Sequence, residues 1–243
     1  MGNAFHLNQI TQTMNLLLLS NSTNPGQPYL EWPMDYIDRF LGTIKAALFI
    51  PYAAVSFSYD DYESKVQEAL IKRDIKIKSI HHFDDPIEAI NNAQAIIVGG
   101  GNSFHLLDQV QRLGLVGPLQ RRVKEEEIHY IGWSAGSNLA CPTVKTTNDM
   151  PIIEPQSFNA LHFIDFQINP HYTERTIEGH GGESRLMRLE EYVSINDIPV
   201  LCLPESCGIR IDESGSRLLS SEPVKLLSPG GNVKTLHPGI VEL

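Results

Sequence analysis

Six short apolar runs recur along the chain and limit what it can fold into. They cover residues 15–20, 45–50, 75–80, 95–98, 128–132 and 199–203. Stretches with helical periodicity lie between several of these runs; Tyr62, Val66 and Leu70, for example, would share one face of a helix. Strands that alternate with amphipathic helices are typical of a parallel sheet covered on both faces. We therefore predict an α/β fold with three layers, in which helices cover both faces of a mostly parallel sheet.

The last part of the chain has a different pattern. A charged helix is predicted near residues 183–193, and short strands at 207–212 and 217–219 predict an antiparallel edge to the sheet. No linker-like stretch divides the chain. We therefore expect one domain over residues 14–243, preceded by a polar extension of residues 1–13.

Charge and cysteine content exclude several classes of function. Asp and Glu outnumber Lys and Arg by 29 to 19, for a formal net charge of −10, and no basic run stands out. Nucleic acid is not an expected partner, because binding to its phosphate backbone needs clustered cations. Three cysteines without framework spacing fit a reducing cytoplasm. Since the chain also lacks a secretory signal and any apolar run long enough to span a bilayer, we predict a cytoplasmic protein without a membrane partner.

The segment IHYIGWSAGSNLACPT, residues 128–143, contains the spelling G-x-S-x-G around Ser134. An apolar strand ends at Gly132 and a helix is predicted to start near residues 137–140, so Ser134 would lie at a strand-to-helix turn. There its hydroxyl would project above the carboxyl end of the sheet as a candidate nucleophile. The N–H of Ala135 would face a bound carbonyl oxygen as half of an oxyanion hole. An ordinary turn serine is the alternative interpretation.

A second apolar strand, at residues 95–98, runs directly into Gly99, Gly100 and Gly101. Glycines leave backbone N–H groups accessible to an anion, either a phosphate or the oxyanion of a tetrahedral intermediate. The spacing matches neither the G-x-x-x-x-G-K-[ST] phosphate loop nor the G-x-G-x-x-G dinucleotide motif. Next to a candidate nucleophile, we expect Gly100 or Gly101 to supply the second oxyanion donor, and we expect no cofactor.

A catalytic serine needs a base, and nine histidines compete for that role. They are His6, His81, His82, His105, His129, His162, His171, His180 and His237. His171 has the most favourable position, because it follows a short apolar strand and a proline at a strand end where catalytic loops collect. Two acids could orient its imidazole. Asp149 lies between Ser134 and His171 in the chain and Glu205 follows the strand at 199–203, and the residues alone leave this choice open.

A metal centre is not predicted. The chain has no H-E-x-x-H motif and no C-x-x-C pair. The pair His81-His82, followed by Asp84-Asp85, lacks the periodicity of metal ligands.

Seven segments occur in a characteristic order and spacing. They are LLLLSNSTNPG, IIVGGGNSFHLL, YIGWSAGSNLACPT, TTNDMPI, QINPHYT, GHGGESR and LPE. Together they resemble the peptidase E family of serine peptidases, the α-aspartyl dipeptidases, over residues 14–211. The resemblance implies a flavodoxin-like domain of the class I glutamine amidotransferase kind. Pro142 is consistent with this fold, because it requires the helix behind Ser134 to be short or kinked.

The same resemblance implies roles for individual residues. Ser134 would be the nucleophile and His171 its partner, with Asp149 or Glu205 as the third member of the triad.

It also implies a substrate. Arg185 would bind the side-chain carboxylate of an N-terminal aspartate, for which a planar guanidinium is well suited. We expect Asn102, which follows the glycines, to contact the substrate as well. The predicted partner is a small Asp-Xaa peptide, hydrolysed by a monomer or small homo-oligomer.

Three other interpretations stay open. A cyanophycinase-like enzyme that cleaves β-linked aspartyl peptides would share every catalytic residue. A serine esterase of the α/β-hydrolase kind would need a histidine late in the chain, and His237 is the one that qualifies. A non-catalytic module would use residues 99–101 to bind a phosphate or an acyl anion.

Overall fold

The computed structural model describes residues 14–175 and 181–243. The predicted extension at 1–13, which includes His6, lies outside these ranges, and so does His180. The strands within them are β1 (Leu16–Leu19), β2 (Ala46–Ile50), β3 (Lys76–Ser79), β4 (Ala95–Val98), β5 (His129–Trp133), β6 (Gln167–Asn169), β7 (Val200–Cys202), β8 (Gly208–Asp212), β9 (Gly215–Leu219), β10 (Val224–Ser228), β11 (Asn232–Leu236) and β12 (Gly239–Val241). The α-helices are α1 (Met34–Leu41), α2 (Tyr59–Leu70), α3 (Pro86–Asn91), α4 (Ser103–Arg112), α5 (Val116–Gln120), α6 (Ala135–Ala140) and α7 (Arg185–Ile195). Of these helices, none is long and apolar enough to cross a membrane.

Eight strands form the main sheet, in the order β12-β9-β8-β1-β5-β4-β2-β3. Strands β1 to β5 pair in parallel. Strands β8, β9 and β12 pair antiparallel and complete the side next to β1. The predicted mostly parallel sheet with an antiparallel edge is therefore confirmed.

Alternate side chains of each central strand face opposite layers. In β1, Leu16 and Leu18 belong to one apolar cluster, and Leu17 and Leu19 belong to another. Helices α1 and α2 cover the second cluster, whereas α3 to α6 pack on the first. All four leucines are fully buried, and burying one such side chain contributes about 1.5–3 kcal/mol. The three-layer arrangement is confirmed as well.

A second sheet, with the order β11-β10-β7-β6, lies beside the main one. The apolar run at residues 199–203 predicts a strand correctly, but that strand, β7, pairs here and not in the main sheet. A short buried run indicates that a strand exists and does not indicate which sheet it joins.

This second sheet brings two separate parts of the chain together. Strands β6 and β7 are parallel neighbours, with Asn169 opposite Cys202 at their carboxyl ends. The pairing continues into the next residues, because the N–H of Leu203 donates to Asn169 O at 3.0 Å and the N–H of Tyr172 donates to Leu203 O at 3.0 Å. The loops that carry His171 and Glu205 therefore leave the sheet side by side.

Candidate active site

The turn between β5 and α6 has strained geometry. Ser134 joins the two elements with φ 52° and ψ −111°, which residues other than glycine rarely adopt. Its neighbours must be small because the backbone packs closely. A Cβ on Gly132 would lie 2.4 Å from Gly136 O, and one on Gly136 would lie 2.3 Å from Val98 O. The G-x-S-x-G spelling therefore follows from packing, and it leaves the Ser134 hydroxyl at the carboxyl end of β5.

His171 reaches Ser134 from the loop after β6. Its Nε2 lies 2.8 Å from Ser134 Oγ. Its backbone N–H donates to Ser20 Oγ at 2.8 Å, and the Ser20 hydroxyl donates to Leu203 O at 2.9 Å. Ser20, which is fully buried just after β1, therefore links the histidine loop to both sheets. Sequence reasoning missed Ser20, because nothing in its local pattern separates it from other small polar residues.

Glu205 contacts the far side of the same imidazole. Its Oε1 lies 2.8 Å from His171 Nδ1, so hydrogen-bond contacts run from Glu205 through His171 to Ser134. A carboxylate in this position favours the tautomer with the proton on Nδ1, which leaves Nε2 free to accept the serine proton. The pair is open to water, since the side chains of His171 and Glu205 are 39% and 51% exposed.

Asp149 occupies a different place. Its Oδ2 accepts from the N–H of Ser103 at 2.7 Å and from the hydroxyl of Thr147 at 2.9 Å. These contacts place the carboxylate at the N-terminus of α4, where the helix dipole favours negative charge. Asp149 lines the same pocket as Ser134. Of the two predicted acids, Glu205 is the one whose carboxylate contacts His171.

The loop after β4 packs against the Ser134 turn. A Cβ on Gly100 would lie 3.1 Å from that of Ser134, and one on Gly101, at φ 139°, would lie 2.2 Å from Ala53 O. The N–H groups of Gly100, Gly101 and Ala135 donate to no acceptor within residues 14–175 and 181–243. The N–H groups of Gly100 and Ala135 thus belong to backbone that adjoins Ser134, where an oxyanion hole needs donors.

A pocket of about 480 Å³ opens beside Ser134, which is a usual size for a small-ligand site. One wall is aromatic: Trp133 Nε1 donates to Tyr62 Oη at 3.1 Å, and Tyr62 Oη donates to Gly100 O at 3.0 Å. Burial raises the pKa of Tyr62 and raises that of Tyr29 well above its usual value, so both hydroxyls remain neutral. Sequence reasoning did not include Tyr62, because α2 brings it to the pocket from 71 residues before Trp133.

Lys65 places a positive charge on the same wall. Among the described side chains that line the pocket, it is the one with a permanent positive charge. Its Nζ lies 4.4 Å from the centroid of the Tyr29 ring, which is a cation–π contact. The sequence does not single it out, because most helix lysines are simply solvated.

Arg185 lies next to the catalytic candidates. It is the first residue of α7, and its Nη1 donates to His171 O at 2.5 Å. Burial, with a smaller contribution from Arg188, lowers the pKa of Arg185, although an arginine stays charged in proteins. Among the residues that the structure describes, the contact with His171 O is the hydrogen bond that the guanidinium makes.

Asn102 caps helix α4. Its Oδ1 accepts from the N–H groups of Phe104 at 3.1 Å and His105 at 3.0 Å, and its Nδ2 donates to Met150 O at 2.8 Å. The amide therefore fixes the start of α4 and the loop around Met150. Its contact with a substrate stays a prediction.

Comparison with known proteins decides the family. The model of peptidase family S51 matches residues 16–219, which include Ser134, His171 and Glu205. The chain belongs to peptidase family S51. This S51 peptidase is 44% identical to Peptidase E of Nostoc sp. over 225 residues, 92% of this chain and 93% of that protein. It is 42% identical to Peptidase E of Escherichia coli over 227 residues, 93% of this chain and 99% of that protein.

Two solved structures share the fold of the S51 peptidase. A putative Peptidase E protein from Listeria monocytogenes superposes with a TM-score of 0.63 at 19% identity, over 93% of this chain and 100% of that chain. A peptidase from an acI-B1 Actinobacterium superposes with a TM-score of 0.66 at 14% identity, over 95% and 98%. The resemblance to the peptidase E family that the sequence motifs indicate is confirmed, and a peptidase acts on peptides.

Proposed function

We propose that this S51 peptidase is a serine peptidase that hydrolyses dipeptides with an N-terminal aspartate through an acyl-enzyme on Ser134. The observation that carries the proposal is the contact of His171 Nε2 with Ser134 Oγ at 2.8 Å, with Glu205 Oε1 2.8 Å from His171 Nδ1. A histidine held between a serine and a carboxylate is the arrangement that activates a serine hydroxyl.

In the first step, His171 Nε2 accepts the hydroxyl proton while Ser134 Oγ attacks the carbonyl carbon of the peptide bond. Glu205 stabilises the resulting imidazolium. The carbonyl oxygen becomes an oxyanion between the N–H of Ala135 and that of Gly100 or Gly101. Loss of one such donor typically slows the reaction by about 10² to 10³.

In the second step, the imidazolium of His171 gives its proton to the amine nitrogen, the C–N bond breaks, and the second residue leaves. The aspartyl group stays bound to Ser134 Oγ as an ester. His171 then takes a proton from water, whose oxygen attacks the ester carbon, and returns that proton to Ser134 as free aspartate departs.

The charges around the site fit an acidic dipeptide. Arg185, held beside His171, binds the side-chain carboxylate of the substrate through two parallel N–H groups. Lys65, which lines the pocket beside Ser134, attracts the C-terminal carboxylate, and Asp149 attracts the ammonium group of the substrate. Because the formal net charge of the chain is −10, these local cations must attract the anionic groups.

The alternative enzymes differ from the proposed one either in the histidine that acts as the base or in the substrate that is cleaved. An esterase that uses His237 gains no support from the geometry, because His237 is an exposed residue after β11 and is absent from the described pocket lining. A cyanophycinase-like peptidase would use the same catalytic residues, so only the substrate separates it from the proposal.

Hydrolysis of Asp-Leu, Asn-Leu and isoaspartyl-Leu tests the substrate class. We expect the highest kcat/KM for Asp-Leu, because Asn-Leu offers no carboxylate to Arg185 and isoaspartyl-Leu has its scissile carbonyl on the side chain. The variant Arg185→Met should lower kcat/KM for Asp-Leu by about 10- to 100-fold, as expected for loss of a charged hydrogen bond, and should change Asn-Leu much less.

Arg188→Met is the matched control, since Arg188 is an exposed arginine one turn along the same helix. Equal rates for Asp-Leu and Asn-Leu would contradict the proposed selectivity. Faster cleavage of isoaspartyl-Leu would favour the cyanophycinase-like alternative.

A further inference from the structure

Two histidines and two carboxylates meet on the surface at the start of α2. Asp60 and Glu63 lie one turn apart on that helix, and His81 and His82 lie in the turn that follows β3. His81 Nε2 is 2.9 Å from Asp60 Oδ1, and His82 Nε2 is 3.3 Å from an oxygen of the same carboxylate. His82 Nε2 is also 2.7 Å from Glu63 Oε2. One ligand atom each of Asp60, His81 and His82 lies within 4.8 Å of the other two.

Buried Ser79 orients two of these side chains. Its Oγ lies 2.7 Å from His81 Nδ1, and its backbone N–H donates to Glu63 Oε1 at 2.5 Å. Histidines that bind a metal through Nε2 commonly donate the Nδ1 proton to a neighbouring oxygen, which fixes both the tautomer and the ring. Ser79 Oγ supplies such an oxygen to His81, and the Tyr59 ring packs 5.5 Å from the imidazole.

A cation would complete this arrangement chemically. If His81 donates its Nδ1 proton to Ser79, the lone pair on Nε2 faces the carboxylate of Asp60, and two acceptors oppose each other. A metal ion between them binds both. Zinc binds nitrogen and oxygen ligands at about 2.0–2.2 Å, so two ligand atoms of a tetrahedral site lie about 3.3 Å apart. Asp60 Oδ1 lies at similar distances from the two imidazoles, 2.9 Å from His81 Nε2 and 3.3 Å from His82 Nε2.

We propose that the cluster binds one divalent transition-metal ion through Nε2 of His81, Nε2 of His82 and the carboxylate of Asp60, with water at the fourth position. Two imidazoles together with a carboxylate suit Zn²⁺. The sequence pattern predicts no metal centre because Asp84 and Asp85 are the acids nearest to the histidines in the chain. The fold instead brings acids from α2. This proposal is independent of the serine mechanism, in which the ion takes no part.

The ion ties α2 to the turn after β3, close to the peptidase pocket. Residues Tyr62 and Lys65, on the turns of α2 next to Asp60 and Glu63, line that pocket. Bound Zn²⁺ therefore stabilises the pocket wall, and its effect should appear as resistance to heat, because binding to the folded state alone raises its stability.

Isothermal titration of tag-free protein with Zn²⁺ tests the site. We expect one ion per chain and a higher melting temperature with Zn²⁺. Loss of a residue that only hydrogen-bonds to a metal ligand typically weakens metal binding by ~10- to 100-fold. His81→Ala and His82→Ala each remove a ligand, so each should weaken binding by at least this factor. Both variants should also lose the rise in melting temperature with Zn²⁺. Asp60→Asn, a substitution on a side chain that is 73% exposed, should weaken binding while leaving the metal-free melting temperature unchanged.

His162→Ala is the matched control. His162 is also a surface histidine beside a carboxylate, with its Nε2 3.2 Å from Asp165 Oδ1, but it has no second histidine, and its loss should leave Zn²⁺ affinity unchanged. Unchanged affinity in His81→Ala, His82→Ala and Asp60→Asn would overturn the proposal, and so would a wild-type chain that binds no Zn²⁺.

Discussion

At the scale of single residues, the candidate nucleophile and its candidate base both have strained backbone. Ser134 and His171 have φ values of 52° and 53°, and such positions cost on the order of 1–3 kcal/mol each when the residue is not glycine. Contacts with the end of β1 hold both of them. The N–H of Ser134 donates to Leu19 O at 3.0 Å, and the N–H of His171 donates to Ser20 Oγ at 2.8 Å. The same short segment therefore sets the distance between Ser134 and His171.

Glu205→Gln and Asp149→Asn should have different kinetic effects. An amide at position 205 would hold the wrong tautomer of His171, so we expect kcat to fall by up to about 10⁴-fold, as in other serine triads that lose the acid. Asn at position 149 can still accept from Ser103, so the cap persists, and we expect KM to rise because the substrate ammonium loses its partner. Steady-state kinetics with Asp-Leu measures both.

The opposite pattern of kinetic effects would give the role of third triad member to the other acid. A large fall in kcat for Asp149→Asn, together with near wild-type kcat for Glu205→Gln, would make Asp149 the third triad member. The residues alone left this choice open, because both acids follow the candidate nucleophile in loops. Which loop reaches His171 depends on the pairing of β6 with β7, and no local pattern reveals that pairing.

At the scale of elements, the turn that carries Ser134 depends on how closely β4, β5 and α6 approach one another. Periodicity and turn residues were sufficient to predict the strand, the turn and the helix, because each depends on neighbouring residues. The second sheet and the contribution of α2 to the pocket could not be predicted, because they depend on contacts between distant segments. Ser20 and Tyr62 are examples, since each acts on residues that lie far from it in the chain.

Gly136→Ala should destabilise the chain strongly. A Cβ there would lie 2.3 Å from Val98 O, so α6 would have to move away from β4, and such overpacking typically costs about 1–3 kcal/mol. Urea denaturation measures the free energy of unfolding. Activity should fall as well, because α6 carries Ala135 and its N–H.

Gly117→Ala is the matched control. Gly117 lies in α5, and an added Cβ would meet nothing within 4 Å. Alanine in a helix is favoured over glycine by about 1 kcal/mol, but Pro118 disfavours helical backbone at the residue before it. These effects oppose each other, so the stability of this variant should stay within about 1 kcal/mol of the wild type. Equal destabilisation by both substitutions would contradict the close-packing explanation of the motif.

At the scale of the whole molecule, the apolar layers packed on both sheets bury groups that can lose a proton. Burial raises the pKa of Cys141 and Cys202 to about 12, and burial, with the nearby Tyr59, raises that of Tyr52 to about 12. These thiols are therefore unreactive at neutral pH. The apolar composition that predicts a covered sheet also accounts for these shifts, although the sequence alone cannot show which cysteines or tyrosines are enclosed.

These shifts predict sensitivity to alkaline pH. Exposed thiols and phenols have pKa values of about 8.5 and 10, below those of Cys141 and Tyr52 in the folded chain. Between the two values the folded state holds more protons than the unfolded state, so stability falls as pH rises. We expect the free energy of unfolding to decline from about pH 8.5 upward, as measured by urea denaturation at successive pH values.

The variant Tyr52→Phe measures how much the Tyr52 hydroxyl contributes to the loss of stability at alkaline pH. The variant lacks the titrating hydroxyl, so its stability should decline less steeply above about pH 10 than that of the wild type. An identical slope in the two proteins would show that Tyr52 does not titrate with the proposed shift.

The central claim is that Ser134 carries the acyl group, and kcat/KM for Asp-Leu in the wild type and in Ser134→Ala tests it most directly. Removal of a serine nucleophile typically lowers kcat by about 10⁶-fold, because the remaining groups cannot form the ester. We predict a loss of this order in Ser134→Ala, with the fold intact by circular dichroism. Hydrolysis of Asp-Leu by Ser134→Ala at close to the wild-type rate would contradict the account.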